Sequence, residues 1–148
     1  PLLDTRDEVG CPKHRSQCHV DGRTYSIAGT NPCPVCGGLT CREHLRACKN
    51  CGRLVCQVDR RESSGLCVTC GSLTRLDEPT DALLAAALVA NAGEPPRAKA
   101  WASARDASHI VVQMDLGWTR RLVMSVRHGD TRPDTVVRHS LLGSSKRT

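Results

Sequence analysis

The most apolar stretch of the chain is Leu83–Ala92, which is far too short to span a bilayer. Thr80 or Asp81 can cap a helix there, with Leu83, Leu84, Ala87 and Leu88 as its apolar positions and Asn91-Ala92-Gly93 as its stop. Glu94-Pro95-Pro96 breaks the chain, and beyond it the period changes from helical to alternating. A strand is expected over 100–105, with a turn at Asp106-Ala107-Ser108. His109–Asp115 then places Ile110, Val112 and Met114 on one face. Leu116-Gly117-Trp118 turns the chain into 119–127, where Leu122, Met124 and Val126 repeat the alternation. His128-Gly129-Asp130 makes another turn before a last strand over 135–139. The pattern predicts a helix followed by an antiparallel sheet of three or four strands. Residues 71–79 read as a linker and 143–148 as a disordered tail.

Cysteine spacing, not hydrophobic period, organises residues 11–70. Six pairs share a two-residue gap: Cys11-x2-His14, Cys33-x2-Cys36, Cys41-x2-His44, Cys48-x2-Cys51, Cys56-x2-Asp59 and Cys67-x2-Cys70. That gap lets both side chains of one turn reach a tetrahedral ion at about 2.0–2.3 Å. The segment from Cys33 to His44 lies over that from Cys48 to Asp59, with Gly37 and Gly52 matched just after the second cysteine. Glycine suits the positive φ that closes such a knuckle.

Composition favours metal over disulfides. The chain has 148 residues, ten cysteines, no Phe and three aromatics (Trp101, Trp118 and Tyr25), so its core needs a staple. No basic region followed by an apolar run marks the start, and the expected setting is reducing and cytoplasmic, where CxxC pairs are metal ligands. The opening Pro1 reads as the start of a piece excised from a longer protein, and the Ala/Arg/Val/Asp bias with little Lys suggests a bacterial source. Nine ligand thiolates with three zinc ions would lower the formal +6 to about +3. The positive surplus lies in residues 97–148, which hold ten Lys/Arg against four Asp/Glu.

Cys48-x2-Cys51-Gly-Arg-Leu-Val-Cys56 followed by Gly-Leu-Cys67-Val-Thr-Cys70 resembles the second half of a FYVE finger. Residues of about 33–70 are thus similar to the cross-brace treble-clef fingers of the FYVE and RING kind. The resemblance implies that each CxxCG knuckle shares its ion with a later pair. Carried onto this chain, it implies three zinc sites: Cys48, Cys51, Cys67 and Cys70; Cys33, Cys36, Cys56 and Asp59; and Cys11, His14, Cys41 and His44. Sequential pairing would instead crowd Cys41, His44, Cys48 and Cys51 around one ion. Cys18 or His19 stand as alternatives to His14 or Asp59. The FYVE lipid motif has no counterpart in His44-Leu45-Arg46-Ala47-Cys48-Lys49, so the resemblance does not extend to phosphoinositide binding. Ubiquitin-enzyme recruitment by RING fingers does not suit a bacterial composition.

The expected class is therefore a small zinc-stabilised α+β protein. Its first domain (1–79) is an interleaved treble-clef-like zinc region, and its second (80–142) is the helix and sheet. Closed zinc sites and the lack of a deaminase or metalloprotease motif point to a non-catalytic module. Arg121, Val123, Ser125 and Arg127 fall on the sheet face opposite Leu122; with Arg120, Arg132 and Arg138 they form a candidate phosphate-contacting patch, or an ordinary solvated face. Trp101 and Trp118 read as core or turn anchors, so base stacking is not expected. His109, His128 and His139 read as structural or surface residues. The expected function is an accessory region of a bacterial nucleic-acid-processing protein, contacting DNA or a partner subunit. The alternatives are a pure protein–protein adaptor and an enzyme with its site in the sheet domain.

Overall fold

A computed structural model describes residues 12–140 and the strand at 143–147. Its first half is a fifteen-residue unit laid end to end. Short 3-10 turns occupy Pro12–His14, Ile27–Gly29, Arg42–His44 and Gln57–Asp59, each starting fifteen residues after the last. Between them lie three-residue strands: β1 (Arg15–Gln17), β2 (Thr24–Ser26), β3 (Thr30–Pro32), β4 (Leu39–Cys41), β5 (Leu45–Ala47) and β6 (Leu54–Cys56). They pair as the antiparallel hairpins β1–β2, β3–β4 and β5–β6, and a fourth hairpin is reduced to the bridge between Arg60 and Cys67.

Each hairpin tip closes in the same way. The amides of Cys18, Cys33, Cys48 and Arg61 donate to the carbonyls of Arg23, Gly38, Arg53 and Leu66, five residues on. The amides of Gly22, Gly37, Gly52 and Gly65 bond back to the first residue of each tip, and all four glycines have φ between 70° and 76°. Four knuckles are thus present, although only the two over 33–44 and 48–59 stand out as a repeat in the sequence. Hairpins this short have no independent stability in water and depend on what fastens them.

The second half is a meander: β7 (Thr74–Arg75), α1 (Asp81–Ala90), β8 (Ala100–Arg105), β9 (His109–Gly117), β10 (Arg120–Arg127), β11 (Pro133–Ser140) and β12 (Gly143–Arg147). The sheet has six strands in the order β12-β11-β10-β9-β8-β7, more than the three or four expected. Both additions are at its edges. Thr74–Arg75, expected within a linker, pairs with Ala102 and Ser103, and Gly143–Arg147, expected to be disordered, pairs with the open edge of β11. An unpaired edge offers a row of free amides and carbonyls to whatever backbone lies nearest. No helix among the described residues is long and apolar enough to cross a membrane.

The sheet is covered on both faces. Val112, Met114, Leu122, Met124 and Val126 pack with α1, whose N-cap Thr80 accepts from the Leu83 amide. The helix buries Leu83, Ala86, Ala87 and Ala90, leaving Leu84 and Leu88 outside, contrary to the expected stripe. Three alanines let the backbone lie close on the sheet, which a leucine stripe would hold off. On the other face, Val111 and Val123 join Cys33, Cys48, Cys51, Cys56, Cys67, Cys70 and Val55 in one core. The face expected to be solvated and basic is therefore the seat of the cysteine array: Val123 and Ser125 have no exposed surface.

Candidate metal centres

Among the described residues, three sets of four donors lie with their ligand atoms within 4.8 Å of one another. They are Cys48, Cys51, Cys67 and Cys70; Cys33, Cys36, Cys56 and Asp59; and Cys18, Asp21, Cys41 and His44. In every set one pair comes from a knuckle and the other from the end of the following hairpin, so consecutive hairpins are crosslinked and the sites interleave. The amide of the closing cysteine donates to the first knuckle sulfur in all three: Cys41 to Cys18 at 3.4 Å, Cys56 to Cys33 at 3.4 Å, and Cys67 to Cys48 at 3.2 Å. Such donors favour the thiolate that a metal requires.

The donor sets fit zinc. A tetrahedral ion with Zn–S of 2.3 Å holds its sulfurs about 3.8 Å apart, and Cys51–Cys67 and Cys36–Cys56 are each 3.9 Å. The nine cysteines of these sets form no disulfides. The Asp59 Oδ2 lies 3.1 Å from Cys33 Sγ and 3.0 Å from Cys56 Sγ, and the His44 Nδ1 lies 3.2 Å from Cys41 Sγ and 3.7 Å from Cys18 Sγ. For Asp59, burial opposes ionisation but the thiols of Cys36, Cys56 and Cys33 outweigh it, holding the carboxyl below its ordinary value. Burial likewise opposes the Cys18 thiolate, and the Cys41 amide with its neighbours still lowers its pKa.

The third set differs from the expected one. Cys18 and Asp21 stand where Cys11 and His14 were expected; Cys11 lies outside the described residues, and His14 is exposed and belongs to no cluster among the described residues. The repeat explains why. His14 ends a 3-10 turn, as His44 and Asp59 do, so it occupies a closing position and not a knuckle position. Cys41 and His44 already close a site and need a knuckle pair, which Cys18-x2-Asp21 followed by Gly22 supplies. The signal was present: Cys18, Asp21 and Gly22 lie fifteen residues before Cys33, Cys36 and Gly37. It was obscured because carboxylate replaces the second cysteine. Ser26 and Gly29 take the places of Cys41 and His44, so the first hairpin has no closing pair. His19 is not in a set, but its Nε2 is 3.9 Å from Cys36 Sγ.

Surrounding side chains balance the array and fix it to the sheet. Four thiolates around one Zn2+ carry a net −2, and buried Arg53 places Nη2 3.8 Å from Cys67 Sγ. The same guanidinium places Nη1 2.7 Å from Asp106 Oδ2, in the turn between β8 and β9. Ser108 Oγ donates to the Pro34 carbonyl, Thr135 Oγ1 donates to the Cys51 carbonyl at 2.9 Å, and His139 Nε2 bonds the Asn50 carbonyl at 2.8 Å. His109 Nε2 is 2.7 Å from Asp134 Oδ2, and His128 Nε2 bonds the Asp106 carbonyl, so all three histidines have structural partners.

The five arginines do not form one patch. Arg120, Arg121 and Arg138 meet around a cavity at one end of the sheet. Arg127 is at the opposite end, 3.6 Å from Asp134, and Arg132 is exposed in the β10–β11 turn. Trp101 is half-buried beside the helix-side core, whereas Trp118 is 96% exposed at the β9–β10 tip and anchors nothing. Comparison with known proteins finds no matching family model, curated relative or solved structure.

Proposed function

We propose that this chain is a non-catalytic interaction module folded by three zinc ions, and that the basic end of its sheet contacts nucleic acid. The observation that carries the reading is the closure of all three sites. Each brings four protein donors together, leaving no coordination position for substrate, which is the pattern of structural zinc. Zinc bound there would crosslink successive hairpins, in the interleaved manner of treble-clef fingers. Ser108, His109 and Asp134 do line up at hydrogen-bond distances, but the Ser108 hydroxyl is committed to the Pro34 carbonyl, as a clip between array and sheet. We read the module as an accessory region of a bacterial, cytoplasmic nucleic-acid-processing protein.

The test is binding of labelled duplex and single-stranded oligonucleotides over a salt series. The reading predicts affinity that falls linearly on a log–log plot with a slope set by the phosphates contacted. No binding to either at low salt would overturn it. A protein partner is the second reading, favoured by Leu54 and Val58, which the array exposes at 55% and 69%.

A further inference from the structure

The arginine-lined end of the sheet has features that nucleic-acid contact in general does not require. The cavity there measures about 550 Å³, the size of a small-ligand site. Arg97 follows α1, Arg120 and Arg121 open β10, and Arg138 comes from β11; Glu94 is the carboxylate among its described lining residues. Arg138 braces the wall, with Nη2 2.9 Å from the Ala90 carbonyl and Nη1 3.4 Å from Asn91 Oδ1. Among the described residues Arg97, Arg120 and Arg121 have no ion-pair partner, and Arg121 Nε is buried without a hydrogen bond. A buried guanidinium N–H left unpaired is costly, and a bound phosphate oxygen would satisfy it.

A second cavity of about 240 Å³ adjoins the first, sharing Arg120, Arg121 and His139 and extending to Trp118. An indole held almost wholly in solvent adds nothing to the core. It shares this second cavity with the guanidinium groups of Arg120 and Arg121 and with the Asp115 carboxylate, and so presents a flat stacking surface next to the anion site of the larger cavity. A nucleotide offers that combination of ring and phosphate, and a duplex keeps its base faces covered.

We propose that this end of the sheet is a single-strand nucleic-acid site, with a backbone phosphate held by Arg97, Arg120 and Arg121 and an adjacent base stacked on Trp118. The inference rests on the nucleic-acid reading above and adds strand type and location to it. The experiment is titration of the zinc-loaded chain with an oligo-dT, a duplex of equal length, and inorganic phosphate. Binding is followed by anisotropy and tryptophan fluorescence, and metal content is checked for each variant. Oligo-dT should quench the fluorescence. Trp118→Ala should weaken that binding about tenfold with an unchanged salt slope. Arg120→Ala, at an exposed position, should weaken it and lower the slope by about 0.7; Arg121→Ala should do the same. Duplex binding that ignores all three substitutions would overturn both this site and the placement of contact at the basic end of the sheet, leaving only nucleic-acid binding elsewhere on the chain. No binding of either nucleic acid would overturn both. A phosphopeptide or inorganic phosphate displacing oligo-dT, with Trp118→Ala silent, would replace the single-strand site with a simple phosphate site.

Discussion

At the scale of single residues, the array is defined by which side chains occupy knuckle and closing positions. Cys18 and Asp21 hold the first knuckle, so Cys18→Ser or Asp21→Ala should reduce bound zinc from three ions to two in native mass spectrometry, while His14→Ala should leave three. Loss of an ion from the His14 variant would refute the assignment. Asp106 is the second decisive residue. Its carboxylate accepts from Arg53, Thr69 and the amides of Ser108 and His109, at 2.7 to 3.1 Å. Burial raises its pKa, but the Arg53 guanidinium and these donors outweigh it, so the carboxyl lies below the ordinary range. The stabilisation is complete above the unfolded value of about 4 and is lost as pH falls through the lower folded value. Asp106→Asn should cost about 3 kcal/mol in urea unfolding, because it leaves buried Arg53 without its carboxylate partner. A loss below 1 kcal/mol would show that the clip is dispensable.

At the scale of elements, the unit is a hairpin whose tip needs a left-handed residue. Gly37 has φ of 76° and nothing within 4 Å of where a Cβ would stand, so Gly37→Ala isolates the backbone term. It should destabilise the zinc-loaded protein by about 1 kcal/mol in thermal or urea unfolding. Gly65→Ala should cost more, because its Cβ would fall 2.6 Å from the Lys49 side chain, which must move aside. Equal costs at the two sites would contradict this picture. The knuckles of Cys33 and Cys48 were legible because both ligands are cysteine and a glycine follows. The knuckle at Cys18 was disguised by Asp21, and the one at Arg61 has no ligands at all, though its hydrogen bonds are the same. The alternating strands from 100 to 139 were also legible, since period two survives wherever one face is buried. The edge strands β7 and β12 were not: two residues carry no period, and Gly143–Arg147 is polar throughout.

At the scale of the whole molecule, three layers share two cores, and the middle layer is the sheet. Val111 and Val123 belong to the same apolar cluster as the cysteines, so the cysteine array and the sheet stabilise each other. This joint core could not be seen from alternation alone. Val111, Val123 and Ser125 are neutral residues on a face otherwise marked by arginine, and only the position of the array shows that the face is covered. Chelation should therefore disturb more than the hairpins: with zinc removed, the near-ultraviolet signal of Trp101, in the sheet, should fall along with that of the array. A sheet signal that survives full chelation would show that the two halves fold separately.

The interleaved array is tested most directly by replacing zinc with cadmium-113 and recording its NMR spectrum. The three donor sets differ in chemistry: four sulfurs; three sulfurs and a carboxylate; and two sulfurs, an imidazole and a carboxylate. The array predicts three resonances of equal intensity, ordered by sulfur count, with the four-sulfur site the most deshielded. Two resonances, or three with identical sulfur coordination, would contradict it.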